Sequence, residues 1–407
     1  MSPKVYPVQE HRISPDRVDP HAIQVIQRLR EAGHAAYLVG GGVRDLLLNK
    51  RPKDFDISTS ASPEQIKRIF RNCILIGRRF RLAHVRFGSK VIEVSTFRAG
   101  DIESTELIVR DNEWGSEEED VRRRDFTING LFYDPENQTV IDYVDGFLDI
   151  ERRLLRTIGP ADARFTQDPV RMIRLLKFCA RFDLKIDPNA HEALVACRAQ
   201  ILNSSPARVL EELLRMLESG SSAPFFRLLQ EYGLLEPLLP ELSRTLKGHT
   251  EHPIYQLLAE MDAEVKRNER PLDRALLLSA LLFPMLEKEL KREVEITQEV
   301  PHLGIISEWS HDLLSDLFEP FFQLPRKLGG MVAFILASQF RFTPLDNKPI
   351  QRPRLPRDPL TSLSLDLFRL RAALDPALLP TYTLWTEAHF QLQSNPSARP
   401  PRRRKRR

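Results

Sequence analysis

The hydrophobic pattern of this 407-residue chain changes once, near residue 160, and that change constrains the fold more than any other feature. Before it, short strand-like and helix-like segments alternate, such as AAYLV at 35–39 and PHAIQVIQRLREA at 20–32. After it, apolar residues recur with helical spacing, as in DPVRMIRLLKFCARF at 168–182. The pattern predicts an α+β chain, in which a small N-terminal sheet domain is followed by helical regions only.

Finer divisions follow from composition. We expect the polar stretch at 99–124, which has separated charge blocks and weak periodicity, to be a mobile loop near a substrate. The segment NKPIQRPRLPRD at 347–358 is expected to be a linker, because it is rich in proline and arginine. The predicted parts are an N-terminal extension at 1–19, a sheet domain at 20–155, a helical neck at 156–245, a helical body at 246–393 and a disordered basic tail at 394–407.

Positive charge is concentrated in two places. The formal charge is +4, but the last nine residues, RPPRRRKRR, hold seven basic side chains, and removing these seven leaves the rest of the chain at −3. Residues 67–98 contain nine Lys or Arg and one acid. Local basicity favours contact with a polyanion, whereas a solubilising or targeting tail is the plain alternative for the C-terminal run. The arginines that we expect to contact nucleic acid are Arg78, Arg79, Arg81, Arg402, Arg403 and Arg404.

Nothing in the sequence indicates export or membrane insertion. The best apolar run, Ala275 to Leu286, is interrupted by Ser279 and Pro284, and the first residues lack the apolar centre of a secretion signal. The three cysteines show no CxxC spacing, so neither a disulfide framework nor a zinc ribbon is indicated. We therefore expect a cytoplasmic protein with reduced cysteines and no membrane partner.

The segment KDFDIST at 53–59 has the pattern of a strand that carries two acids, Asp54 and Asp56. Alternate side chains of a strand face the same way, so both carboxylates are expected on one side, with Cα atoms roughly 6.5 Å apart. Such a pair suits two magnesium ions about 4 Å apart whose shells are completed by a substrate's phosphate oxygens. One ion would acidify an attacking hydroxyl and the other would stabilise departing pyrophosphate, which is nucleotidyl transfer. A solvated strand end is the alternative for an isolated pair.

A third acid, Glu93, stands in the middle of the apolar segment VIEVSTF at 91–97. An acid in such a strand is costly to bury unless a cation or a metal accompanies it. We expect Glu93 to be a third metal ligand, and an ion pair with Arg98 or Arg86 is the alternative.

Three further stretches could bind the nucleotide. The glycines at 40–42, between a strand and a helix, let the backbone approach a phosphate, with the helix N-terminus and Arg44 supplying positive charge. The arginines of RRRDFTIN at 122–129 could face a triphosphate, or could form salt bridges at a helix start. Asp168 and Arg171, three residues apart, could contact one base edge or could pair with each other.

These stretches together resemble the class II nucleotidyltransferases of the polymerase-β superfamily, the family of bacterial tRNA CCA-adding enzymes and poly(A) polymerases. The resemblance covers roughly residues 20–245. The segment ILIGRRFRLAHVRFG at 74–88 and the arginine-rich tail are similar to the poly(A) polymerase branch. The matching stretches, in order, are LVGGGVRD at 38–45, KDFDIST at 53–59, RRDFTIN at 123–129, DPVRMIR at 168–174 and RVLEELLRML at 208–217.

The resemblance implies a polymerase-β-like nucleotidyltransferase head followed by an all-helical neck and body that bind nucleotide and RNA. It implies that Asp54 and Asp56 bind the two catalytic magnesium ions, with Glu93 as the third acid. Asp125 would be an active-site acid that positions the nucleotide ribose or an arginine. Gln167 departs from the family pattern, which usually has Glu there, and so removes a charge. The residues expected to hold the nucleotide are Gly41, Gly42, Arg44, Arg124, Asn129, Asp168 and Arg171, of which the last two would read the base.

The resemblance implies template-independent addition of AMP from ATP to single-stranded RNA 3′ ends, as in RNA polyadenylation and mRNA processing. A tRNA CCA-adding enzyme is the first alternative, and a non-catalytic RNA-binding relative is the second. A phosphohydrolase that binds metal through His249, His252 and His311-Asp312 is a further possibility, but we interpret these histidines as surface or core polar residues.

Overall fold

A computed structural model describes residues 2–77, 81–99, 113–346 and 353–394. The chain divides into two compact units, one ending at Ser204 and the other beginning at Ser205. The first unit holds the sheet and the second is helical, which confirms the α+β prediction of a sheet domain followed by helices. The finer domain limits remain predictions. Several predicted features lie outside the described residues, namely Arg78, Arg79, Arg402, Arg403, Arg404, most of the tail, and parts of the loop and linker.

The first unit is built on an eight-stranded sheet, counted over the described residues. Its strand order is β1-β8-β7-β2-β3-β6-β5-β4, and only the β3 and β6 neighbours run parallel. The first strand belongs to the predicted N-terminal extension, which therefore adds an edge to the sheet. The strands are β1 (Lys4–Pro7), β2 (Ala36–Val39), β3 (Asp56–Thr59), β4 (Cys73–Ile76), β5 (Leu82–Phe87), β6 (Lys90–Thr96), β7 (Leu131–Asp134) and β8 (Thr139–Asp142), with a separate parallel pair β9 (Leu154–Leu155) and β10 (Lys185–Ile186).

Some helices of the first unit begin where a local side chain caps them. The Asp19 side chain accepts a hydrogen bond from the His21 amide (2.8 Å) at the start of the second helix, and Ser62 and Gln65 form a capping box at the fourth. The helices of the first unit are α1 (Val8–His11), α2 (Pro20–Glu31), α3 (Gly41–Leu47), α4 (Pro63–Ile69), α5 (Glu117–Arg122), α6 (Gly146–Glu151), α7 (Ala161–Gln167), α8 (Val170–Phe182) and α9 (Pro188–Cys197).

The second unit consists of packed helices whose apolar stripes were visible in the sequence. Buried Asp262 joins two of them, because its carboxylate accepts hydrogen bonds from the amides of Ser222 (2.7 Å) and Ala223 (2.8 Å). The helices are α10 (Pro206–Leu217), α11 (Ser222–Glu231), α12 (Leu235–Leu238), α13 (Pro240–Leu246), α14 (Pro253–Asn268), α15 (Arg274–Thr297), α16 (Leu303–Phe318), α17 (Arg326–Phe342), α18 (Leu360–Leu374) and α19 (Leu379–Ser394). None of the helices in the described ranges is long and apolar enough to span a bilayer.

Two sequence expectations need correction. Residues 117–122 of the predicted mobile loop form helix α5, because Ser116 and Glu119 cap one another in a second capping box. The third strand begins at Asp56, so Asp54 precedes the strand and does not lie within it. Cys73, Cys179 and Cys197 are buried and form no disulfide, which is compatible with the expected reduced state.

Candidate active site

The two acids of KDFDIST lie at the N-terminal end of β3. Asp54 is exposed, Phe55 is buried and Asp56 is half-buried. A buried phenyl ring between two more accessible acids is the pattern that extended backbone gives when both carboxylates lie opposite the ring. The predicted common orientation of the two acids is therefore compatible with the fold, although one acid stands just outside the strand.

Asp56 carries an electrostatic signature of acid crowding. Burial raises the pKa of the Asp56 carboxyl to about 6, and the negative charges of Glu93 and Asp54 add to the rise, whereas Arg124 opposes it. The negative charges of Asp54, Asp56 and Glu93 therefore act on one another, and Arg124 compensates for them in part. A cation placed there would lower the pKa and relieve the repulsion.

Glu93 lies directly opposite Asp56 on the parallel neighbour β6. It is not buried as the sequence suggested, because its side chain is 48% exposed, and so the argument from burial cost was wrong. Its carboxylate Oε1 lies 3.2 Å from His84 Nε2 on β5, a partner that neither expected alternative named. In this arrangement Glu93 is held toward β5.

The three acids have the type of ligand atoms that a hard divalent cation prefers. Asp54, Asp56 and Glu93 offer only carboxylate oxygens, the ligands that magnesium prefers. Over the described residues, however, no three Asp, Glu, His or Cys side chains stand in an arrangement that could already hold a metal ion. Asp54 and Asp56 have the donor chemistry for the predicted ions, and the Glu93 carboxylate is paired with His84 in this structure.

The glycine loop, residues 40–42, consists of the N-cap and the first two residues of α3 and lies against this acidic region. Gly40 has a φ of +64°, and a Cβ there would come within 2.9 Å of Arg124 Nη1, so only glycine suits the position. A Cβ on Gly42 would meet the Asp54 carbonyl oxygen at 3.3 Å and the Phe55 ring at 3.6 Å. The loop therefore brings its backbone close both to the segment that bears the acids and to Arg124.

Arg44 is committed to partners inside the protein. Its guanidinium donates to Asp45 Oδ1 (2.6 and 2.9 Å) and to Asn129 Oδ1 (2.6 Å), and its Cζ lies 4.8 Å from the Phe178 ring and 4.7 Å from the Phe182 ring. Burial lowers the pKa of Arg44, although Asp45 opposes the shift. The side chain joins α3 to α8 and orients Asn129, another residue of the predicted nucleotide site.

The three arginines at the C-terminal end of α5, Arg122, Arg123 and Arg124, are paired with acids of that helix. Arg122 bonds Glu118 (2.7 Å), whereas Arg123 (2.9 Å) and Arg124 (2.8 Å) share the fully buried Asp120. The arginine pairs lower the pKa of Asp120 although its burial acts in the opposite direction. Salt bridges, the alternative stated for this run, are thus present, at the C-terminal end of the helix. Arg124 also lies 3.3 Å from Ser58 Oγ on β3, which places it beside the acids.

Asp125 is buried and fully engaged by its neighbours. Its Oδ1 accepts hydrogen bonds from the Phe126 amide (2.8 Å) and Asn129 Nδ2 (2.9 Å), and its Oδ2 forms an ion pair with Arg174 (2.8 Å). Burial would raise the pKa of Asp125, but Arg174, the Asn129 hydrogen bond and Arg171 lower it below its ordinary value. Asp125 is therefore an ionised anchor between the RRDFTIN segment and α8.

The DPVR segment lies on the same framework. Asp168 follows the end of α7, and Arg171 is buried in the first turn of α8, where Nη1 donates to the Arg164 carbonyl (3.2 Å). Gln167 is buried and accepts a hydrogen bond from Arg164 Nη1 (2.9 Å). Arg164 Nη2 donates to the carbonyls of Arg123 (2.7 Å) and Arg124 (2.5 Å), so α7 fixes the backbone of the arginine run.

The remaining predicted residues are placed as follows. Arg81 is exposed and pairs with Glu64 on α4 (2.5 Å). His252 caps α14 by accepting from the Ile254 amide (3.2 Å), and its ring centroid lies 6.2 Å from that of His249. His311 is exposed on α16. Among the residues described, no three His, Cys, Asp or Glu side chains are grouped so that they could hold a metal ion. The interpretation of these histidines as surface or core polar residues stays a prediction.

Sequence reasoning missed Asp120, Arg164, Arg174 and His84. Asp120 could have been found, because it stands three and four residues before Arg123 and Arg124 on a helix that begins with a capping box. The contacts of Arg164 and Arg174 join segments about 40 to 50 residues apart, and no local pattern signals them. His84 meets Glu93 only through the strand register.

Comparisons with known proteins agree with this architecture. A family model described as Poly A polymerase head domain matches residues 36–156, and one described as Probable RNA and SrmB- binding site of polymerase A matches residues 183–246. Poly(A) polymerase I of Salmonella typhi is 38% identical over 390 residues, which are 91% of this chain and 82% of that protein. The CCA-adding enzyme of Geobacillus thermodenitrificans is 37% identical over 214 residues, 52% of this chain and 53% of that protein. The crystal structure of the Bacillus stearothermophilus CCA-adding enzyme in complex with CTP has a TM-score of 0.64 and 27% identity, covering 93% of this chain and 84% of that chain.

The fold and these likenesses define a nucleotidyltransferase of the polymerase-β-like class. Within that class, the chain belongs to the bacterial poly(A) polymerase I family. The prediction that it is a polynucleotide adenylyltransferase is confirmed by these relatives.

Proposed function

We propose that this enzyme adds AMP from ATP, without a template, to the 3′ ends of single-stranded RNA in the cytoplasm, as part of RNA polyadenylation and mRNA processing. The observation that carries the proposal is that Asp54 and Asp56 flank the buried Phe55 next to the glycines at 40–42, with the charges of Asp54 and Arg124 both acting on Asp56. The likeness to poly(A) polymerases along most of the chain supports the same reaction.

The acids would hold two magnesium ions. When bound, these ions would acidify the attacking 3′-hydroxyl of RNA and neutralise charge on the pyrophosphate leaving group. Asp54 and Asp56 would supply carboxylate oxygens to these ions. Burial and the charges of Glu93 and Asp54 raise the pKa of Asp56 to about 6, and a bound cation would lower it again. Glu93 would complete the set after release from His84.

The glycine loop and Arg124 would hold the triphosphate of ATP. Backbone amides at Gly41 and Gly42 can approach phosphate oxygens where side chains would obstruct them. Arg124 lies at the junction of this loop and β3. Arg44 would act indirectly, because its guanidinium is held by Asp45 and Asn129 and so fixes the loop and Asn129.

Asp168 and Arg171 would read the adenine base, with Asp125 supporting them. Arg171 is anchored to the Arg164 carbonyl and Asp125 to Arg174, so both are set on rigid neighbours. A rigid acceptor and donor pair can distinguish bases by their hydrogen-bonding edges. Gln167 bonds Arg164, and so we assign it to this framework and not to base contact.

RNA would be held by the basic strip, residues 67–98, and by the basic tail at 394–407. Sequence-independent contact with phosphates suits an enzyme whose product repeats one nucleotide, because the RNA must advance after each addition. Arg81, and Arg78 and Arg79 beside it in the sequence, are candidates in the strip, and Arg402, Arg403 and Arg404 are candidates in the tail.

A tRNA CCA-adding activity is the second candidate, favoured by the CCA-adding relatives that match about half of the chain. An extension assay separates the two. The purified enzyme is incubated with magnesium and labelled ATP or CTP, with either an oligoadenylate or a tRNA lacking its CCA end. Long products from oligoadenylate with ATP alone support poly(A) synthesis. Three-nucleotide addition to tRNA only, with CTP required, would establish the second candidate, and RNA binding without incorporation would establish a non-catalytic relative.

A further inference from the structure

The strand register places four residues in one row across the sheet. Asp56 on β3 is opposite Glu93 on β6, Glu93 is opposite His84 on β5, and His84 is opposite Ile74 on β4. Directly opposed residues of neighbouring strands project from the same face. The row therefore starts at the catalytic acids and ends at the edge of the sheet.

The face that carries this row is open beyond the acids. On β4, β5 and β6 the alternate residues Ala83, Val85, Ile92 and Val94 are fully or almost fully buried, and α4 packs on β4 and β5. The residues of the opposite face are accessible, with Ile74 46%, Ile76 46% and Val91 38% exposed. Three large aliphatic side chains exposed on one face, next to the proposed active site, indicate a surface that binds another molecule.

The chemistry of the reaction decides what this face can bind. In nucleotidyl transfer the attacking hydroxyl and the leaving pyrophosphate lie on opposite sides of the reacting phosphorus. The glycine loop follows β2, one neighbour of β3, whereas β6 is its other neighbour. If the glycine loop holds the nucleotide on the β2 side of β3, the β6 side remains available to the RNA that supplies the hydroxyl.

Charge at the rim of the face suits RNA. Arg86 is exposed and projects from the same face as His84, two residues along β5. Arg71 is also exposed, and it adjoins Arg86 because the Arg86 amide donates to the carbonyl of the next residue, Asn72 (3.1 Å). Aliphatic surface can cover the faces of bases while arginines at its margin contact phosphates.

We propose that the exposed face of β4, β5 and β6, formed by Ile74, Ile76, His84, Arg86 and Val91, binds the last nucleotides of the RNA primer and directs its 3′-hydroxyl toward Asp56 and Glu93. This inference rests on the proposed function and adds to it the path of the primer. His84 is the contact nearest the acids, and Ile74 and Val91 bury the faces of the bases that precede the terminal one.

The test combines crosslinking with kinetics on the full chain. An oligoadenylate ending in 4-thiouridine is irradiated on the enzyme, and the attached peptides are identified. Ile74→Glu is compared with Val5→Glu, a matched control on β1 at the opposite edge of the sheet, where the native side chain is 55% exposed. We expect crosslinks within 73–76 and 84–93. We also expect about a tenfold rise in the primer KM for Ile74→Glu, with the ATP KM and the kcat at saturating primer unchanged. Val5→Glu should match the wild type.

Other outcomes overturn the proposal. Crosslinks confined to other segments, together with equal primer KM values for Ile74→Glu and Val5→Glu, would place the primer elsewhere even if ATP incorporation is normal. A wild-type dimer that Ile74→Glu converts to a monomer, with no crosslink to these strands, would make the face a contact between two copies of the chain. If the wild type incorporates no nucleotide, the proposed function fails, and the crosslinks still decide where RNA ends lie.

Discussion

Asp56 and Glu93 lie opposite one another on the parallel strands β3 and β6, and after burial the charge of Glu93 is the largest contribution to the raised pKa of Asp56. The pairing has a physical consequence, because two carboxylates held side by side on adjacent strands repel one another until a cation or proton intervenes. The fold therefore concentrates negative charge at one end of β3, next to the glycine loop and Arg124.

Gly42→Ala tests how closely the loop supports the acids. The new Cβ would meet the Asp54 carbonyl at 3.3 Å, so the loop or the acid-bearing segment must shift by a few tenths of an ångström. We expect AMP incorporation to fall by about tenfold or more, because small displacements of catalytic groups are costly, while RNA affinity is unchanged. Gly329→Ala, where a Cβ meets nothing within 4 Å, is the control. Equal activity of the two variants would contradict the close support described here.

Asp120→Asn tests the anchor of the arginine run and its pH dependence. The wild-type carboxylate is fully buried between Arg123 and Arg124, so we expect the variant to lose about 3 kcal/mol of unfolding free energy at pH 7. Because the folded pKa lies below the ordinary value of 3.8, this stabilisation is present above pH 3.8 and is lost as the pH falls through the folded pKa. Urea titrations should show the difference between variant and wild type shrinking below that pH, and exposed Asp16→Asn should show no such difference. A difference independent of pH would refute the ion-pair explanation.

Gln167→Glu tests whether this residue belongs to the framework or to base recognition. Burial, and next the charge of Arg171, lower the pKa of Arg164 to about 10, and a carboxylate at 167 would give that guanidinium an ionic partner. We expect the thermal unfolding temperature to rise by a few degrees, which corresponds to roughly 1 kcal/mol of stabilisation. The ratio of ATP to CTP incorporation should be unchanged. Gln24→Glu, on the exposed face of α2, controls for added charge. A changed nucleotide ratio would place residue 167 in base recognition.

Removal of Arg399–Arg407 tests the role of the tail. If its seven basic residues contact phosphates, the slope of log Kd against log salt should become shallower by up to about 5, at about 0.7 per contact for a single strand. Replacing the six tail arginines with lysine preserves charge and should retain the slope. An unchanged slope after truncation would assign the tail to something other than RNA binding.

Much of the site could be predicted from local sequence. The alternation of burial around Phe55 follows the strand periodicity that predicted a common side for Asp54 and Asp56, and a side chain at Gly40 would collide with Arg124. These signals are local, since they depend on strand periodicity and on the backbone conformations that only glycine adopts easily.

The rest could not be predicted, because it depends on contacts between distant segments. The local sequence around Arg44 predicts a phosphate ligand, but in the structure its guanidinium packs against the rings of Phe178 and Phe182 on α8. The local sequence predicts that Glu93 is a buried acid in an apolar strand. In the structure its side chain is exposed, and the register with β5 places His84 beside it. Strand order and helix packing determine such partners, and the sequence of a single segment predicts neither of them.

Single-turnover incorporation by Asp56→Asn, measured beside RNA binding, tests the central claim most directly. The amide preserves the shape but removes the charge that would hold magnesium. We predict a loss of roughly 10³-fold in the rate of AMP addition, about 4 kcal/mol of transition-state stabilisation, with RNA Kd within about twofold of the wild type. Incorporation at more than about a tenth of the wild-type rate would contradict the assignment of Asp56 to the metal site and, with it, the proposed mechanism.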